Sequence, residues 1–233
     1  MKPHNYNRWV SHHGGVFAAL ISGGLVAAVT VAQPVMAQGF APEKGDLVLR
    51  AGPSLAKFNS SGDFKIMGSP MVGADLKTDT NYTGSFEVDY FLSRQFSVSV
   101  TAGIPPVNHI DGAGTLAPVG RLANVRYGLG AMLGKVHFNG EGRVQPFIGA
   151  GVGYFTAFKV KNVAVADLKV DDSFGPALQA GADVMITPKI GVHFSVAKAF
   201  MNTKSRGSFM TLPVTAKITL DPLIVQSGLV FRF

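Results

Sequence analysis

The chain ends on Leu223-Ile224-Val225-Gln226-Ser227-Gly228-Leu229-Val230-Phe231-Arg232-Phe233, and this stretch carries more information about the fold than any other segment. Apart from Ser227, every second residue counted back from the C-terminus is apolar, whereas Arg232, Gly228 and Gln226 fall on the other face. A period of two indicates a β-strand with one apolar side. A last strand that ends on an outward aromatic residue is typical of an outer-membrane β-barrel. An ordinary sandwich strand is the alternative, and the rest of the chain has to decide between them.

The N-terminus has the pattern of a secretory signal. Basic residues precede an uncharged apolar run from Gly14 to Val31, and Val35-Met36-Ala37 offers the small residues that a signal peptidase reads. We therefore expect residues 1–37 to be a cleaved signal peptide and residues 38–233 to form the barrel domain. A retained N-terminal anchor is the alternative, because the apolar run is longer than usual.

Composition excludes several classes of protein. The 233 residues include no cysteine, which excludes disulfides, thiolate metal sites and a cysteine nucleophile. The 21 basic and 14 acidic residues are dispersed and form no run, so we predict no nucleic-acid partner. Beyond the predicted signal no apolar stretch is long enough for a membrane helix. If the remaining chain enters a bilayer, it must do so as a closed barrel that pairs all its backbone groups.

Segments of about ten alternating residues recur along the chain, separated by turn residues. We predict eight strands, at residues 46–56, 82–92, 95–104, 122–133, 144–157, 173–186 and 190–200 and at the C-terminus, the last reaching back toward Lys217. Long connections (57–81, 105–121, 158–172, 201–216) alternate with shorter ones (93–94, 134–143, 187–189). This arrangement predicts an all-β, eight-stranded antiparallel transmembrane β-barrel with four long extracellular loops and both termini on the periplasmic side.

The two faces of these strands differ in a way that argues against a soluble barrel. A lipocalin-type barrel keeps apolar side chains inside, but here the bulky apolar face pairs with one rich in Gly, Ser, Thr and charged residues. We therefore expect the apolar face to meet lipid. On the fourth strand this reasoning sends Tyr127 and Leu133 outward, with Val125, Leu129 and Ala131, and turns Arg126 inward.

Several motifs together resemble a known family. In chain order they are Gly45-Asp46-Leu47-Val48-Leu49-Arg50-Ala51-Gly52, Pro146-Phe147-Ile148-Gly149-Ala150-Gly151-Val152-Gly153-Tyr154, Leu168-Lys169-Val170-Asp171-Asp172-Ser173-Phe174-Gly175, Ala180-Gly181-Ala182-Asp183 and Leu220-Asp221-Pro222. Their order and spacing resemble the OmpW family of small outer-membrane proteins. The resemblance implies an eight-stranded barrel with a narrow, largely apolar passage, linked to uptake of small hydrophobic molecules.

The chain also departs from the family pattern. Residues 121–125 stand where the family usually has a Leu-Pro-Pro-Thr-like start to the fourth strand. The family often carries tryptophans in its membrane and pore positions, but the one tryptophan of this chain, Trp9, lies in the predicted signal. The family's pocket residues are therefore not carried over.

The inward face supplies the candidate site. The predicted lumen-lining residues are Arg50, Glu87, Asp89, Arg126, Gln179, Asp183 and His193. An eight-stranded barrel is just wide enough for side chains to fill it, and buried charges are usually paired. We therefore expect an ion-paired interior, with Arg232 as a further inward charge. A gate whose pairs rearrange to pass a ligand is the alternative.

Other chemistry is less well supported by the residues. His193 and Ser195 share a face, and Glu87 could orient the histidine in a Ser/His/acid arrangement, but no Gly-x-Ser-x-Gly elbow surrounds the serine. The histidines outside the predicted signal lack metal-ligand spacing, so we predict no metal, no cofactor and no enzyme. Loop aspartates are expected to be solvated or to contact lipopolysaccharide through divalent cations.

These observations predict a passive conduit for small hydrophobic solutes in the outer membrane, with exit sideways into the bilayer. The alternatives are a structural, adhesive or receptor barrel without conduction, and a lipid A-modifying hydrolase. The expected partners are outer-membrane lipid, lipopolysaccharide, the small hydrophobic solutes and the barrel-assembly machinery, which would recognise the C-terminal Phe233. We expect a monomer.

Overall fold

The structure, a computed structural model, describes residues 39–138 and 142–233. The predicted signal peptide, residues 1–37, lies outside these residues. The strands are β1 Leu47–Phe58, β2 Ser61–Ile66, β3 Ser69–Pro70, β4 Ala74–Thr78, β5 Asn81–Phe91, β6 Phe96–Gly103, β7 Val107–Gly114, β8 Arg121–His137, β9 Val144–Asn162, β10 Ala166–Val170, β11 Ser173–Met185, β12 Ile190–Ala199, β13 Asn202–Phe209, β14 Leu212–Thr219 and β15 Pro222–Arg232. A short 3-10 helix spans Ala117–Val119. No helix in the described part of the chain is long and apolar enough to cross a membrane.

Eight of these strands close into an antiparallel barrel, which confirms the predicted fold. Neighbours pair in the order β1, β5, β6, β8, β9, β11, β12 and β15. β15 then pairs with β1, for example Val230 opposite Arg50, and this last pairing closes the ring. Closure gives every barrel strand a neighbour on both sides, so the sheet has no free edge strand, as a membrane-spanning sheet requires.

The four long connections are not the open loops that the sequence suggested, because strands continue beyond the barrel at one end. β10, β13, β14, β2 and β3 form a second sheet, and β4 and β7 lengthen the barrel sheet beside β8. We call these seven strands the extension, and we name the barrel ends the extension end and the turn end. The predicted continuous last strand is interrupted between β14 and β15, where Asp221 has a φ of 36°.

The outer surface carries the apolar belt that the alternation predicted. Leu178 and Phe194, on adjacent strands at mid-height, are about half exposed. Exposed aromatic residues ring the extension end (Tyr82, Phe158, Phe174 and Phe200) and the turn end (Tyr90, Phe96, Phe138 and Phe233). Two aromatic girdles that flank an apolar belt are the signature of a barrel embedded in a bilayer.

The predicted inward and outward faces are confirmed on β1, β5, β6, β11, β12 and β15. On β8 the two faces are reversed relative to the prediction. Val125, Tyr127 and Leu133 are buried in the interior, and Arg126 is exposed on the outside. The outer face of this strand carries Met132 and small residues beside Arg126, while the inner face is apolar as well. Because both faces lack polar side chains over most of the strand, a rule that sends the apolar face to lipid has no basis for choosing between them.

The barrel interior has an apolar zone toward the extension and a charged zone toward the turn end. The apolar zone is one cluster of buried side chains that includes Phe58, Leu76, Tyr127, Phe155 and Met201. At the turn end, Arg232 donates to the backbone oxygens of Gly39 at 2.7 Å and Phe40 at 2.9 Å, so the residues before β1 are held against the barrel mouth.

Candidate functional site

Arg50 on β1 is the centre of the charged zone. Its Nε donates to Asp183 Oδ1 at 3.0 Å, and its Nη2 donates to Asp183 Oδ2 at 2.7 Å, which makes a two-point contact. Its Nη1 lies 3.0 Å from Glu87 Oε1 and 2.8 Å from Asp89 Oδ2. One guanidinium thus contacts three carboxylates from two strands, β5 and β11.

Lys135 on β8 is the second cation, and the sequence reasoning missed it. Its Nζ donates to Glu87 Oε1 at 2.5 Å and to Asp89 Oδ1 at 3.2 Å. The signal that would have found it is the alternation of Lys135 and His137 around Val136 at the end of the strand. We call Arg50, Glu87, Asp89, Lys135 and Asp183 the ion-pair network; the side chains of Arg50, Glu87, Asp89 and Lys135 are at most 1% exposed.

Two histidines lie beside the carboxylates, and one of them, His193, is hydrogen-bonded to a carboxylate. His193 Nδ1 lies 2.7 Å from Asp183 Oδ1, and its Nε2 lies 3.0 Å from Ser195 Oγ. His137 Nε2 lies 2.8 Å from Ser97 Oγ and 3.8 Å from Asp89 Oδ2. Buried charges are tolerated where such partners satisfy their remaining hydrogen-bonding positions.

The Phe147 ring fills the space between the two cations. Arg50 Cζ lies 5.1 Å and Lys135 Nζ 4.5 Å from the ring centroid, within the range of cation–π attraction. The His193 ring stacks on Phe147 at 5.9 Å, with 7° between the planes. The interior is therefore occupied by side chains at the level of the network.

The structure brings six of the seven predicted lumen residues together. Arg50, Glu87, Asp89, Asp183 and His193 meet as described, and Gln179 Nε2 donates to Glu87 Oε2 at 2.9 Å. Arg126 does not join them, because its side chain lies on the outside of β8. Asp183 orients His193, so the suggestion that Glu87 takes this position is wrong.

A cavity of about 70 Å³ lies between the network and the apolar zone. Ala56, Leu129, Ala131, Leu133, Ala177, Ala199 and Met201 are among its apolar lining residues. Its polar lining includes Ser54, Gln179, Ser195 and Gln226. Gln226 stands directly opposite Ser54 on one side and Ser195 on the other, so these three residues lie at one level of the barrel.

The barrel wall has a gap beside this cavity. The pairing of β6 with β8 ends at Ala102 opposite Gly130, and the pairing of β7 with β8 begins at Val107 opposite Arg126. Pro105 and Pro106 lie between, and proline has no N–H to donate to a ladder. Gly103, Ile104, Pro106 and Gly130 at the gap also line the cavity. Ile104 is 61% exposed, so the cavity and the outer surface meet at this residue.

An apolar outer belt with aromatic girdles around an ion-paired interior defines a small outer-membrane β-barrel. A profile of the OmpW family matches residues 43–233, and the chain belongs to this family. The "Dibenzothiophene metabolism operon protein PahQ" of Pseudomonas aeruginosa is 27% identical over 191 residues, which cover 82% of this chain and 90% of that protein. Outer membrane protein AlkL of Ectopseudomonas oleovorans is 26% identical over 190 residues, which cover 78% of this chain and 83% of that protein.

A solved structure has the same fold. The crystal structure of the outer membrane protein OprG from Pseudomonas aeruginosa matches with a TM-score of 0.79 at 22% identity, over 83% of this chain and 98% of that one. The chain is thus an outer-membrane barrel of the OmpW family.

Proposed function

We propose that the barrel is a passive conduit for small apolar molecules, which enter at the extension end and leave sideways into the bilayer. The extension end then faces the cell exterior, and both ends of the barrel domain lie on the periplasmic side. The observation that carries the proposal is the cavity: it is mostly apolar, borders the ion-pair network and reaches the outer surface at Ile104.

The interior favours an apolar solute only as far as the network. Above the cavity the side chains are apolar, from Leu76 in the extension to Tyr127 and Met201 in the barrel. Below it, a solute would have to part Arg50 from its carboxylates, and removing one partner of a buried ion pair costs about 3–5 kcal/mol. A straight path through the barrel is therefore blocked.

The gap between β6 and β8 offers the alternative path. Gly128 and Leu129 lie between the two pairings of β8 on this side and have no partner residue on β6 or β7. Gly103 lacks a side chain and has space beside it, since a Cβ there would meet no atom closer than 3.8 Å. An apolar solute that leaves here enters the apolar belt, where its transfer is favourable.

The relatives also support a role in the uptake of apolar compounds. The name of PahQ ties that protein to the metabolism of dibenzothiophene, which is an apolar aromatic compound. Uptake of such compounds across a surface covered by lipopolysaccharide would require a conduit with an apolar interior and an exit into lipid.

Vesicles with lipopolysaccharide in the outer leaflet test the proposal. The probe is N-phenyl-1-naphthylamine, an apolar dye that brightens in lipid. We expect vesicles with the protein to brighten several-fold faster than empty vesicles, while an entrapped potassium gradient is retained. Equal brightening rates would refute the conduit, and rapid loss of the gradient would refute the closed network.

Asp183, His193 and Ser195 also stand in the order of a hydrolase triad, with distances of 2.7 Å and 3.0 Å. We assign them to the ion-pair network instead. The Asp183 carboxylate is bonded to Arg50, so it is not committed to His193 alone, and Ser195 is 1% exposed. Intact-mass analysis after treatment with a fluorophosphonate tests this assignment.

A further inference from the structure

The cavity has polar atoms that no protein group satisfies. Within the described residues, Gln226 Nε2, Gln179 Oε1 and Tyr127 Oη are buried and have no hydrogen-bond partner. All three residues line the cavity. Gln226 is 3% and Gln179 6% exposed, so bulk water does not replace the missing partners. A buried polar group without a partner is rare in native proteins and calls for a ligand or an ordered water.

The unpartnered atoms are a donor, an acceptor and a hydroxyl. Gln226 Nε2 is a donor and Gln179 Oε1 an acceptor. Ser195 links the two residues, because it stands opposite Gln226 and its Oγ accepts from Gln179 Nε2 at 3.2 Å. We call Gln179, Ser195 and Gln226 the polar floor. The rest of the lining includes Ala, Leu and Ile side chains, together with Ser54, Thr83, Thr101 and Lys198.

We infer that the polar floor selects solutes with an apolar body and one neutral hydroxyl group, such as phenols and other alcohols. A hydroxyl both donates and accepts, so it can satisfy Gln179 Oε1 and Gln226 Nε2, whereas a hydrocarbon leaves both unpaired. A carboxylate accepts hydrogen bonds but cannot donate one, so it would leave Gln179 Oε1 unpaired. This inference rests on the proposed function and names the substrate class within it.

The test compares 1-naphthol with naphthalene, which share a bicyclic apolar body. In 15N-labelled protein in lipid nanodiscs, the Gln226 side-chain amide is assigned by its loss in Gln226→Met. We expect its signals to shift on titration with 1-naphthol and to stay in place with naphthalene. If neither compound moves these signals, or if both move them equally, the polar floor binds only water and the inference fails.

Uptake into vesicles with lipopolysaccharide in the outer leaflet gives the second readout. A hydrogen bond of ordinary strength predicts that Q226M lowers the uptake rate of 1-naphthol about three- to tenfold and leaves naphthalene within about twofold. Gln145→Met makes the same chemical change outside the cavity and should leave both rates as in the wild type. If vesicles with the wild-type protein take up neither compound faster than empty vesicles, the proposed conduit is refuted. The amide shifts of Gln226 then still show whether the polar floor binds a hydroxyl compound.

A second inference rests on the outer surface. Arg126 stands directly opposite Lys159, and Lys161 follows on the same outer face of β9. All three side chains are exposed, and no carboxylate of the described residues forms an ion pair with them. Like charges opposite each other destabilise a sheet, so a bound anion would stabilise this basic cluster.

The position of the basic cluster identifies the anion. The cluster lies just beyond Phe158, which belongs to the aromatic girdle at the extension end and packs against Gly128. Girdle residues mark the membrane interface, and the charges beyond them reach the level of lipid head groups. We propose that Arg126, Lys159 and Lys161 bind a phosphate of lipid A in the outer leaflet.

Native mass spectrometry with added lipid A tests this site. We expect R126Q/K159Q/K161Q to retain about tenfold less lipid A than the wild type, and both proteins to retain equally little fully dephosphorylated lipid A. The control K65Q/K169Q/K204Q removes three exposed charges from the extension strands β2, β10 and β13 and should behave like the wild type. Equal losses in both triple variants would show nonspecific charge attraction only and overturn the site.

Discussion

The Arg50 guanidinium meets the Asp183 carboxylate across the barrel interior, with Nη2 2.7 Å from Oδ2 and Nε 3.0 Å from Oδ1. The two residues are 133 positions apart in the chain, on β1 and β11, which are not neighbours in the barrel. This contact joins two strands that lie three positions apart around the barrel, and it closes the interior below the cavity. It therefore contributes to the stability of the barrel and to the barrier that blocks a straight path through it.

Removal of Arg50 tests the contribution to stability. Arg50→Met leaves Glu87, Asp89 and Asp183 with Lys135 as the remaining cation of the network, so we expect a loss of about 3–5 kcal/mol in the free energy of unfolding. Urea unfolding from phospholipid vesicles measures it. Arg94→Met, which removes an exposed pair with Glu43, is the control and should cost about 0–1 kcal/mol. Similar losses in both variants would contradict a structural network.

Substitution of Phe147 tests whether the interior is closed to ions. Phe147→Ala removes the ring between Arg50 and Lys135, and water then has room to enter beside the ions. We expect ion currents in planar bilayers that the wild type lacks. Phe194→Ala removes the same kind of ring from the lipid-facing surface and should give no ion current. Heat-modifiable gel migration checks that both variants fold, and a folded but silent F147A would show that the ring is not part of the barrier.

The apolar belt is tested by charges placed at two depths. Leu178→Arg puts a cation near the middle of the belt and should destabilise the barrel by about 2–4 kcal/mol in vesicle unfolding. Tyr82→Arg puts the same charge at the girdle and should cost about 0–1 kcal/mol. Equal costs at the two positions would mean that the surface does not face lipid.

Ser195 tests the absence of hydrolase chemistry. The wild-type protein should gain no mass from a fluorophosphonate probe, because Asp183, which orients His193, is ion-paired with Arg50 and is not available to support a charged histidine. A mass gain that disappears in Ser195→Ala would identify a reactive nucleophile and overturn the assignment.

Much of the barrel architecture can be predicted from the amino-acid sequence. On β1, Leu49 and Arg50 differ so strongly in polarity that the alternation decides which side faces lipid. β8 lacks this contrast, so the predicted outward position is wrong for Tyr127 and Leu133, and Lys135 is not predicted at all. The sequence predicts loops where the extension strands lie, because these strands are only two to eight residues long and give a weak alternation.

The interior could be predicted as a set of residues but not as a set of contacts. Arg50, Glu87 and Asp183 could be placed on the inner face, since the period of a strand settles that. Which carboxylate meets which cation depends on register and on strands that are not adjacent, such as β1 and β11. The cavity and the gap at Pro105 and Pro106 depend in turn on where two ladders end.

The most direct test of the conduit compares two glycines on the adjacent strands β6 and β8. Gly103 lines the cavity at the gap, and a Cβ there would meet no atom closer than 3.8 Å, so Gly103→Phe can fill the path. Gly134 lies on the outer surface with similar space, so Gly134→Phe is the matched control. In lipopolysaccharide-covered vesicles, we predict that G134F admits N-phenyl-1-naphthylamine like the wild type, while G103F falls to the rate of empty vesicles. A correctly folded G103F that admits the dye at the wild-type rate would contradict the sideways exit.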